Sequence, residues 1–81
     1  MNVRFTEPFL RRFKKLSEIT KRKFEKQLNL LLKNFRHPSL HAKKYDETRD
    51  IWQARVNSFY RFYFKIQDNT YFIINIIKHP K

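Results

Sequence analysis

A predicted β-hairpin in the last third of the chain carries the pattern that most constrains the fold. Its apolar side chains recur at every second position on both sides of a short turn: Trp52, Ala54 and Val56 before it, and Tyr60, Phe62 and Phe64 after it. Because successive side chains of a strand point to opposite faces, these residues are predicted to share one buried face. In that arrangement Val56 pairs with Tyr60 across a turn of residues 57–59. Arg55 then lies directly opposite Arg61 on the other face of the sheet.

This arginine pair makes the open face of the hairpin the first candidate for function. Like charges directly opposite each other on a sheet are destabilising. Two arginines are tolerated there where water solvates them or where an anion lies between them. We therefore expect the helix-free face of the sheet to carry the functional site.

The charge of the chain also indicates an anionic partner. The 81 residues include 19 Lys and Arg against 7 Asp and Glu, a formal net charge of +12. So strong a field attracts polyanions, and the candidate partners are nucleic acid, an acidic protein or an anionic membrane surface. The alternative is a basic domain that is merely soluble. With 41% hydrophobic and 17% aromatic residues, the sequence predicts one folded domain over residues 1–81.

Several kinds of site are excluded by residue types that the chain lacks. It has no cysteine, so disulfides and thiolate metal sites are excluded, and no glycine, so a glycine-rich phosphate loop is excluded. His37 and His41 are four residues apart, but Pro38 prevents one shared helical face and no carboxylate completes a metal site. We expect neither metal nor cofactor. No apolar run approaches the roughly 20 residues of a membrane span, and no secretory signal is visible, which predicts a cytoplasmic protein.

Two amphipathic helices are predicted to precede the hairpin. Thr6 is a plausible N-cap of the first, which the pattern extends to about Leu16. Ser17 can cap the second, which ends near Phe35 because Pro38 disfavours helix just before it. The predicted buried stripes are Phe9, Leu10, Phe13 and Leu16 in the first helix, and Phe24, Leu28, Leu31, Leu32 and Phe35 in the second. These stripes predict a helical hairpin packed on one face of a sheet.

The predicted strands complete an α+β fold. They lie at about residues 2–5, 51–56, 60–66 and 70–77, with a polar connector over 38–50. Asp68 and Asn69 are turn formers between the last two strands. The final strand is apolar on both faces, which is typical of a central strand, and the first strand is expected to pair beside it. The predicted order is β-α-α-β-β-β in a small, twisted, antiparallel-rich sheet.

The order of these elements and of several short phrases resembles the RelE/ParE toxin superfamily of bacterial toxin–antitoxin systems. The phrases are His37-Pro38-Ser39-Leu40 after the helical hairpin, Lys43-Lys44, the strand 51–56, the pair Tyr60-Arg61 and the ending Lys78-His79. Their order and spacing along nearly the whole chain are more specific than any one of them. The resemblance implies a RelE-like fold and a small basic protein neutralised by a cognate antitoxin.

The resemblance also implies an activity. RelE-like members cut messenger RNA, generally at the ribosome and without metal, whereas ParE-like members poison DNA gyrase. Arg61 matches the arginine that binds phosphate in the nucleases, and Arg55 matches a basic residue on the preceding strand. His79 matches a position where RNA-cutting members carry histidine or arginine. Gln53 and Ala54 stand where RelE-type nucleases carry paired lysines.

The leading hypothesis is therefore a metal-independent endoribonuclease that acts on messenger RNA at the ribosome. Such cleavage needs a base for the 2′-hydroxyl proton, a cation for the charged phosphorane and an acid for the leaving 5′-oxygen. The candidate catalytic residues are Arg61, His79 and Arg55, and the candidate RNA-binding residues are Lys43, Lys44, His41, Tyr63, Lys78 and Lys81. His41 is also a candidate for the second proton-transfer group, and Tyr63 for stacking on a base.

Two other functions stay open. One is a gyrase poison, and the other is a RelE-fold protein that binds nucleic acid or antitoxin without catalysis. The missing strand lysines favour both. The candidate residues also have plain structural interpretations: Arg61 could form an ion pair with a carboxylate of the connector, and His79 could be a frayed surface residue.

Overall fold

The two ends of the chain lie side by side in one sheet. In the computed structural model, which describes residues 1–79, the elements in chain order are β1 (Asn2–Phe5), α1 (Glu7–Phe13), α2 (Glu18–Lys33), a short 3-10 helix (Pro38–Leu40), β2 (Lys43–Asp46), β3 (Ile51–Arg55), β4 (Tyr60–Gln67) and β5 (Thr70–Lys78). The five strands form one sheet in the order β1-β5-β4-β3-β2. β1 pairs in parallel with β5, and the other pairs are antiparallel. The predicted α+β fold and the predicted partner of the first strand are confirmed.

The starts of the two helices differ in how they are fixed. At α2, the Ser17 hydroxyl accepts a hydrogen bond from the Thr20 N–H at 3.2 Å, so the predicted cap is confirmed. At α1, Thr6 occupies the N-cap position but makes no side-chain cap bond. Its hydroxyl lies within hydrogen-bonding distance of the carbonyls of Ile73 (3.0 Å) and Ile74 (3.2 Å), and thereby ties the start of α1 to β5. Thr6 is thus confirmed at the predicted N-cap position, although its side chain does not cap the helix.

The helices bury a slightly different stripe from the predicted one. Leu32 and Leu10 were expected in the core, yet they are 38% and 43% exposed. On α2 the buried positions are Thr20, Phe24, Gln27 and Leu31. The stripe runs at spacings of three and four residues. Gln27 takes a place in it because its amide NH2 donates to two backbone carbonyls, although its Oε1 is buried without a partner among residues 1–79. The prediction rested on hydrophobicity alone and placed Leu32 in the buried stripe. In the structure, Gln27 is buried and Leu32 is exposed.

The connector between the helices and the hairpin is more ordered than predicted. Residues 38–50 contain the 3-10 helix and a fifth strand, β2, which pairs with β3 at the edge of the sheet. The register shifts between Lys44 and Asp46, so Tyr45 is an extra residue of β2, as in a β-bulge. Charged residues and bulges are common on edge strands because they discourage pairing with other chains. The polar composition that suggested a loop here belongs to an edge strand.

An aromatic cluster joins the helices to one face of the sheet. Phe24 contacts Phe9 with ring centroids 5.1 Å apart, and meets Phe62 of β4 edge-on at 5.2 Å. Phe62 and Phe64 are fully buried. The helices therefore cover the face predicted from the hairpin, and the opposite face of the sheet stays open to other uses.

The turn between β4 and β5 follows the sequence prediction. Asp68 and Asn69 have φ values of 51° and 58°. Two successive positive φ values are what a two-residue hairpin turn of type I′ requires, and Asp and Asn tolerate them better than most residues do. Among residues 1–79, no helix has the length and apolar character needed to cross a bilayer.

We expect Phe24→Ala to destabilise the chain by about 3–5 kcal/mol, because it removes a buried ring that contacts Phe9 of α1 and Phe62 of β4. The measurement is urea unfolding followed by Trp52 fluorescence. Ile19→Ala is the matched control on the same helix, since Ile19 is 79% exposed, and it should change stability by less than about 0.5 kcal/mol. Equal effects of the two substitutions would contradict this description of the core.

Candidate active site

Two arginines face each other on the open face, at the hairpin end of β3 and β4. Arg55 of β3 is the direct partner of Arg61 of β4. The N–H of Val56 bonds to the carbonyl of Tyr60 at 3.0 Å, which closes the turn of residues 57–59. The predicted register and turn are confirmed. The alternation of strand side chains sends Phe62 toward the helices and Arg61 to the other face.

The turn itself holds the Arg61 side chain. Asn57 folds the turn by accepting the backbone N–H groups of Phe59 and Tyr60, each at 2.8 Å. Arg61 Nη1 donates to the carbonyls of Asn57 at 2.7 Å and of Tyr60 at 3.1 Å. The guanidinium is therefore fixed by backbone carbonyls, which leave its other N–H groups for a ligand.

The charge of the arginine pair is not compensated within the part of the chain that the structure describes. Arg61 is only 8% exposed, and its burial, followed by the charge of Arg55, lowers its pKa below the ordinary value. Arginine nonetheless stays protonated in proteins. The connector carboxylates have other partners: Asp46 pairs with Arg49 at 3.0 Å and Asp50 pairs with Lys44. The ion pair proposed as a structural role for Arg61 is thus not formed.

Arg55 carries a buried donor that is not satisfied within the described residues. Its Nε is buried and has no hydrogen-bond partner among residues 1–79. A buried donor without a partner costs about 1–3 kcal/mol. Such a donor beside an uncompensated guanidinium is well suited to bind an anionic oxygen.

A pocket of about 370 Å³ surrounds the arginine pair and collects most of the predicted residues. It is lined by His41, Ala42, Lys43, Gln53, Arg55, Arg61 and His79. Two histidines, a lysine and two arginines thus meet in one concave surface, although they come from three different parts of the chain. This combination offers cations for a phosphate and side chains that can exchange protons near neutral pH.

Each histidine is placed by a backbone feature. His41 follows the 3-10 helix in the left-handed conformation, with φ 47° and ψ 41°. This conformation is uncommon for a residue other than glycine, and it turns the chain into β2 beside the pocket. His79 follows β5, and its N–H bonds to the carbonyl of Phe59 at 2.6 Å. The backbone of His79 is thereby tied to the turn that holds Arg61, rather than frayed.

Gln27 is a supporting residue that the sequence analysis missed. It is 1% exposed, and its amide donates to the carbonyls of Arg55 at 2.9 Å and of Ser39 at 3.2 Å. It therefore ties β3 to the 3-10 helix that leads to His41. The available signal was a single amide in the apolar stripe of α2.

An aromatic pair lies beside the pocket on the same face. Tyr63 pairs across the sheet with Gln53, and its ring centroid is 4.9 Å from that of Tyr45 at an interplanar angle of 65°. Burial, with Tyr45 as a smaller cause, raises the pKa of the Tyr63 hydroxyl. Tyr63 therefore stays a neutral hydrogen-bond donor at physiological pH. Tyr45 is 61% exposed and was missed because the connector was interpreted as a loop.

The remaining predicted contacts lie elsewhere. Lys44 points to the helix-covered side, where its ammonium pairs with Asp50 and lies 4.7 Å from the centroid of the Trp52 ring. Lys78 lines a separate groove beside α1. Lys81 lies outside the described residues. The described part of the chain has no group of three or more His, Cys, Asp or Glu side chains arranged to hold a metal ion.

Several solved structures have the same arrangement of helices and strands. A YoeB/ParE toxin from Agrobacterium tumefaciens superposes with a TM-score of 0.82 at 10% identity, covering 99% of this chain and 100% of that one. The isolated E. coli RelE toxin gives 0.76 at 22% identity, covering 99% and 85%. The intact E. coli RelBE toxin–antitoxin complex gives 0.74 at 20% identity, covering 99% and 98%. This chain has the RelE/ParE toxin fold. Neither the models of known protein families nor the sequences of curated proteins match it.

Within this RelE-type fold, the pocket contains five charged or titratable side chains and one neutral amide, Gln53. Gln53 occupies one of the two positions at which the resemblance led us to look for lysines. The other, Ala54, is fully buried on the helix side, where a lysine head group would lose its hydration. The side chains of this pocket that can exchange protons near neutral pH are therefore its two histidines.

We expect Gln27→Leu to disturb the pocket from a distance, because it leaves two buried carbonyls without their donor. The cost should be about 1–3 kcal/mol in urea unfolding. Amide NMR shifts should change most at residues 39–42 and at Arg55. Gln67→Leu makes the same chemical change at an exposed position of β4 and should leave both readouts near those of the parent chain. Shifts spread evenly over α2 would argue against a tie to the pocket.

Proposed function

We propose that this chain is the toxin of a bacterial toxin–antitoxin pair and acts as a metal-independent endoribonuclease on messenger RNA at the ribosome. The observation that carries the proposal is the pocket in which Arg55 and Arg61 stand side by side and which His41 and His79 also line. The fold supports it, since the neighbours of the same fold include proteins described as toxins.

The arginines would bind the scissile phosphate. The orphan Nε of Arg55 and the free N–H groups of Arg61 offer charge-assisted hydrogen bonds to its oxygens. As the 2′-oxygen attacks, negative charge grows on the phosphorane, and two fixed guanidinium groups stabilise it more strongly than the ground state. The repulsion between the two cations falls as that charge develops.

The histidines would move the two protons. One takes the proton of the 2′-hydroxyl while the bond from the 2′-oxygen to phosphorus forms. The other gives a proton to the 5′-oxygen while the bond from that oxygen to phosphorus breaks. The products are a 2′,3′-cyclic phosphate and a free 5′-hydroxyl, and no water, metal or redox partner is consumed. Histidine suits both tasks because it exchanges protons near neutral pH.

The surrounding residues would hold the RNA strand. Lys43 lines the same pocket and can contact a neighbouring phosphate. The exposed Tyr45 and the adjacent Tyr63 offer ring faces on which a base can stack. These contacts suit single-stranded RNA, whose bases are free to turn outward.

The same surface would also meet the antitoxin. One solved neighbour is a toxin–antitoxin complex, and the net charge of +12 favours an acidic partner. An antitoxin that covers the arginine pair would neutralise the toxin by excluding RNA. An antitoxin and a translating ribosome as partners would imply a cytoplasmic protein.

Gyrase poisoning is the second candidate function, and Gln53 is the observation that favours it. The pocket has a neutral amide where the nuclease members of the resemblance have a lysine. The two functions are separated by brief induction in cells, with RNA ends mapped and DNA supercoiling assayed. Cut messenger RNA with intact DNA supports the nuclease, and the converse supports the gyrase poison.

We expect Arg61→Gln to lower RNA cleavage by about 100- to 1,000-fold, because it removes a cation that acts mainly in the transition state. Growth inhibition should be lost at matched protein levels. Arg22→Gln on the exposed side of α2 removes the same charge and should leave both unchanged. Thermal unfolding checks the fold. Insoluble or unfolded Arg61→Gln protein would mean that Arg61 serves the hairpin rather than the phosphate.

A leaving-group experiment can assign the histidines. His79→Gln and His41→Gln should each slow cleavage of an RNA substrate, because glutamine cannot transfer the proton. A substrate with sulfur in place of the 5′-oxygen needs no acid, since a thiolate leaves readily. The variant that lacks the acid should recover near-parental cleavage of the sulfur substrate, and the variant that lacks the base should not. Parental rates for both variants on both substrates would remove the histidines from the mechanism.

A further inference from the structure

A second basic groove lies on the helix side of the same sheet end. It has a volume of about 540 Å³, and its lining includes Arg11, Arg12, Lys15, Lys78, Tyr60 and Ile76. Within residues 1–79, none of its four cations takes part in an ion pair. The α1 C-terminus, where Arg11 and Arg12 lie, contributes at most about half a negative charge. The groove therefore keeps a large uncompensated positive charge.

The groove and the pocket are built from neighbouring residues. Tyr60 lines the groove and Arg61 lines the pocket, and in the same way Lys78 lines the groove and His79 the pocket. Because adjacent strand residues point to opposite faces, the two basic surfaces lie back to back at one end of β4 and β5. A chain that leaves the pocket over this end of the sheet enters the groove.

We propose that this groove is a second phosphate-binding subsite, which holds the single-stranded RNA flanking the cleaved bond. The inference rests on the proposed nuclease function and extends it. Cations along a groove with an aromatic ring are the usual means of binding a single strand without reading its sequence. Here Arg11, Arg12, Lys15 and Lys78 would contact phosphates, and the half-buried Tyr60 would contact a base or ribose.

An RNA strand fits this groove better than a protein segment does. Protein partners are anchored mainly by apolar side chains in pockets. The aliphatic lining of the groove is Pro8, Leu16 and Ile76, of which Ile76 is only 1% exposed and Leu16 is half-buried, so its four cations rather than an apolar pocket distinguish this groove. The exposed apolar side chains nearby, Phe5 and Leu10, line a different groove between α1 and α2.

The test compares two double variants with equal loss of charge. Arg11→Gln with Arg12→Gln alters the groove, whereas Arg22→Gln with Lys26→Gln alters the exposed face of α2, away from both the groove and the pocket. The probes are fluorescent 2′-O-methyl oligonucleotides, which cannot be cleaved. One has about three nucleotides, fewer than a typical single-strand site of about 4–16, and the other has about twelve, enough to fill one. Circular dichroism confirms that each variant is folded.

We expect the groove variant to bind the long oligonucleotide about 10-fold more weakly than the control variant at low salt. The slope of log affinity against log salt should fall by about 1.4, which is about 0.7 for each lost phosphate contact with a single strand. The short oligonucleotide, which fills only the pocket, should bind both variants equally.

Three results would overturn the inference. Equal weakening in the two double variants would show that only the overall field matters. Groove-dependent binding of a poly-glutamate peptide without groove-dependent binding of RNA would make the groove a protein site. Failure of the unmodified chain to bind RNA would remove the groove and the nuclease proposal together. RNA binding with intact messenger RNA after induction would instead remove only the nuclease proposal and keep the groove.

Discussion

Two guanidinium groups face each other across β3 and β4, and other interactions in the structure have to offset the repulsion between them. Like charges directly opposite each other on a sheet are destabilising, and cross-strand pair interactions are typically of roughly 0.2–1 kcal/mol. Burial of Phe62, the residue after Arg61, stabilises the hairpin by more than this, because full burial of a phenylalanine contributes about 1.5–3 kcal/mol. Phe62 and Phe64 are both fully buried. The hairpin can therefore hold a cationic pair on one face because its other face is fixed by the aromatic core.

The alternation of strand side chains divides the basic residues between two surfaces. Lys43 and Lys44 are adjacent, yet one lines the pocket and the other lies over Trp52 on the opposite side. His79 and Lys78 are divided in the same way. Consecutive basic residues in a strand therefore lie on opposite faces of the sheet and contribute to different surfaces. This separation places cations on both sides of one sheet end without adding any element to the fold.

The sequence predicted those features that depend on local periodicity. The Arg55–Arg61 pairing followed from the period of two and from a turn that Asn57 can close, and both were confirmed. The helices followed from the period of 3.6, although Leu32 was misplaced because hydrophobicity does not tell which leucine faces the sheet. Strand β2 was missed because an edge strand gains its stability from a partner that the local sequence does not show.

The site was less accessible to sequence reasoning because its parts come together only in the fold. His41 reaches the pocket through a left-handed backbone conformation, and no pattern of neighbouring residues required it. Gln27 supports Arg55 from a helix 28 residues earlier, a contact that only the packing of α2 on β3 creates. Lys44 was grouped with Lys43 because the connector was interpreted as a loop. Unlike a strand, a loop does not predict that neighbouring side chains point to opposite faces.

Electrostatics contributes little to the stability of this fold and much to what the fold can bind. The three ion pairs found among residues 1–79 each include a partner that is 64–76% exposed, and such pairs are worth about 0–1 kcal/mol. Most of the +12 charge therefore opposes folding rather than supporting it. An anion bound between Arg55 and Arg61 relieves part of that repulsion, so binding and folding stabilise each other. On the proposed function, RNA or an antitoxin would relieve this same repulsion when it binds. Under that proposal, each would stabilise the chain by compensating its positive charge, and the surface that binds RNA would also be the surface that an antitoxin covers.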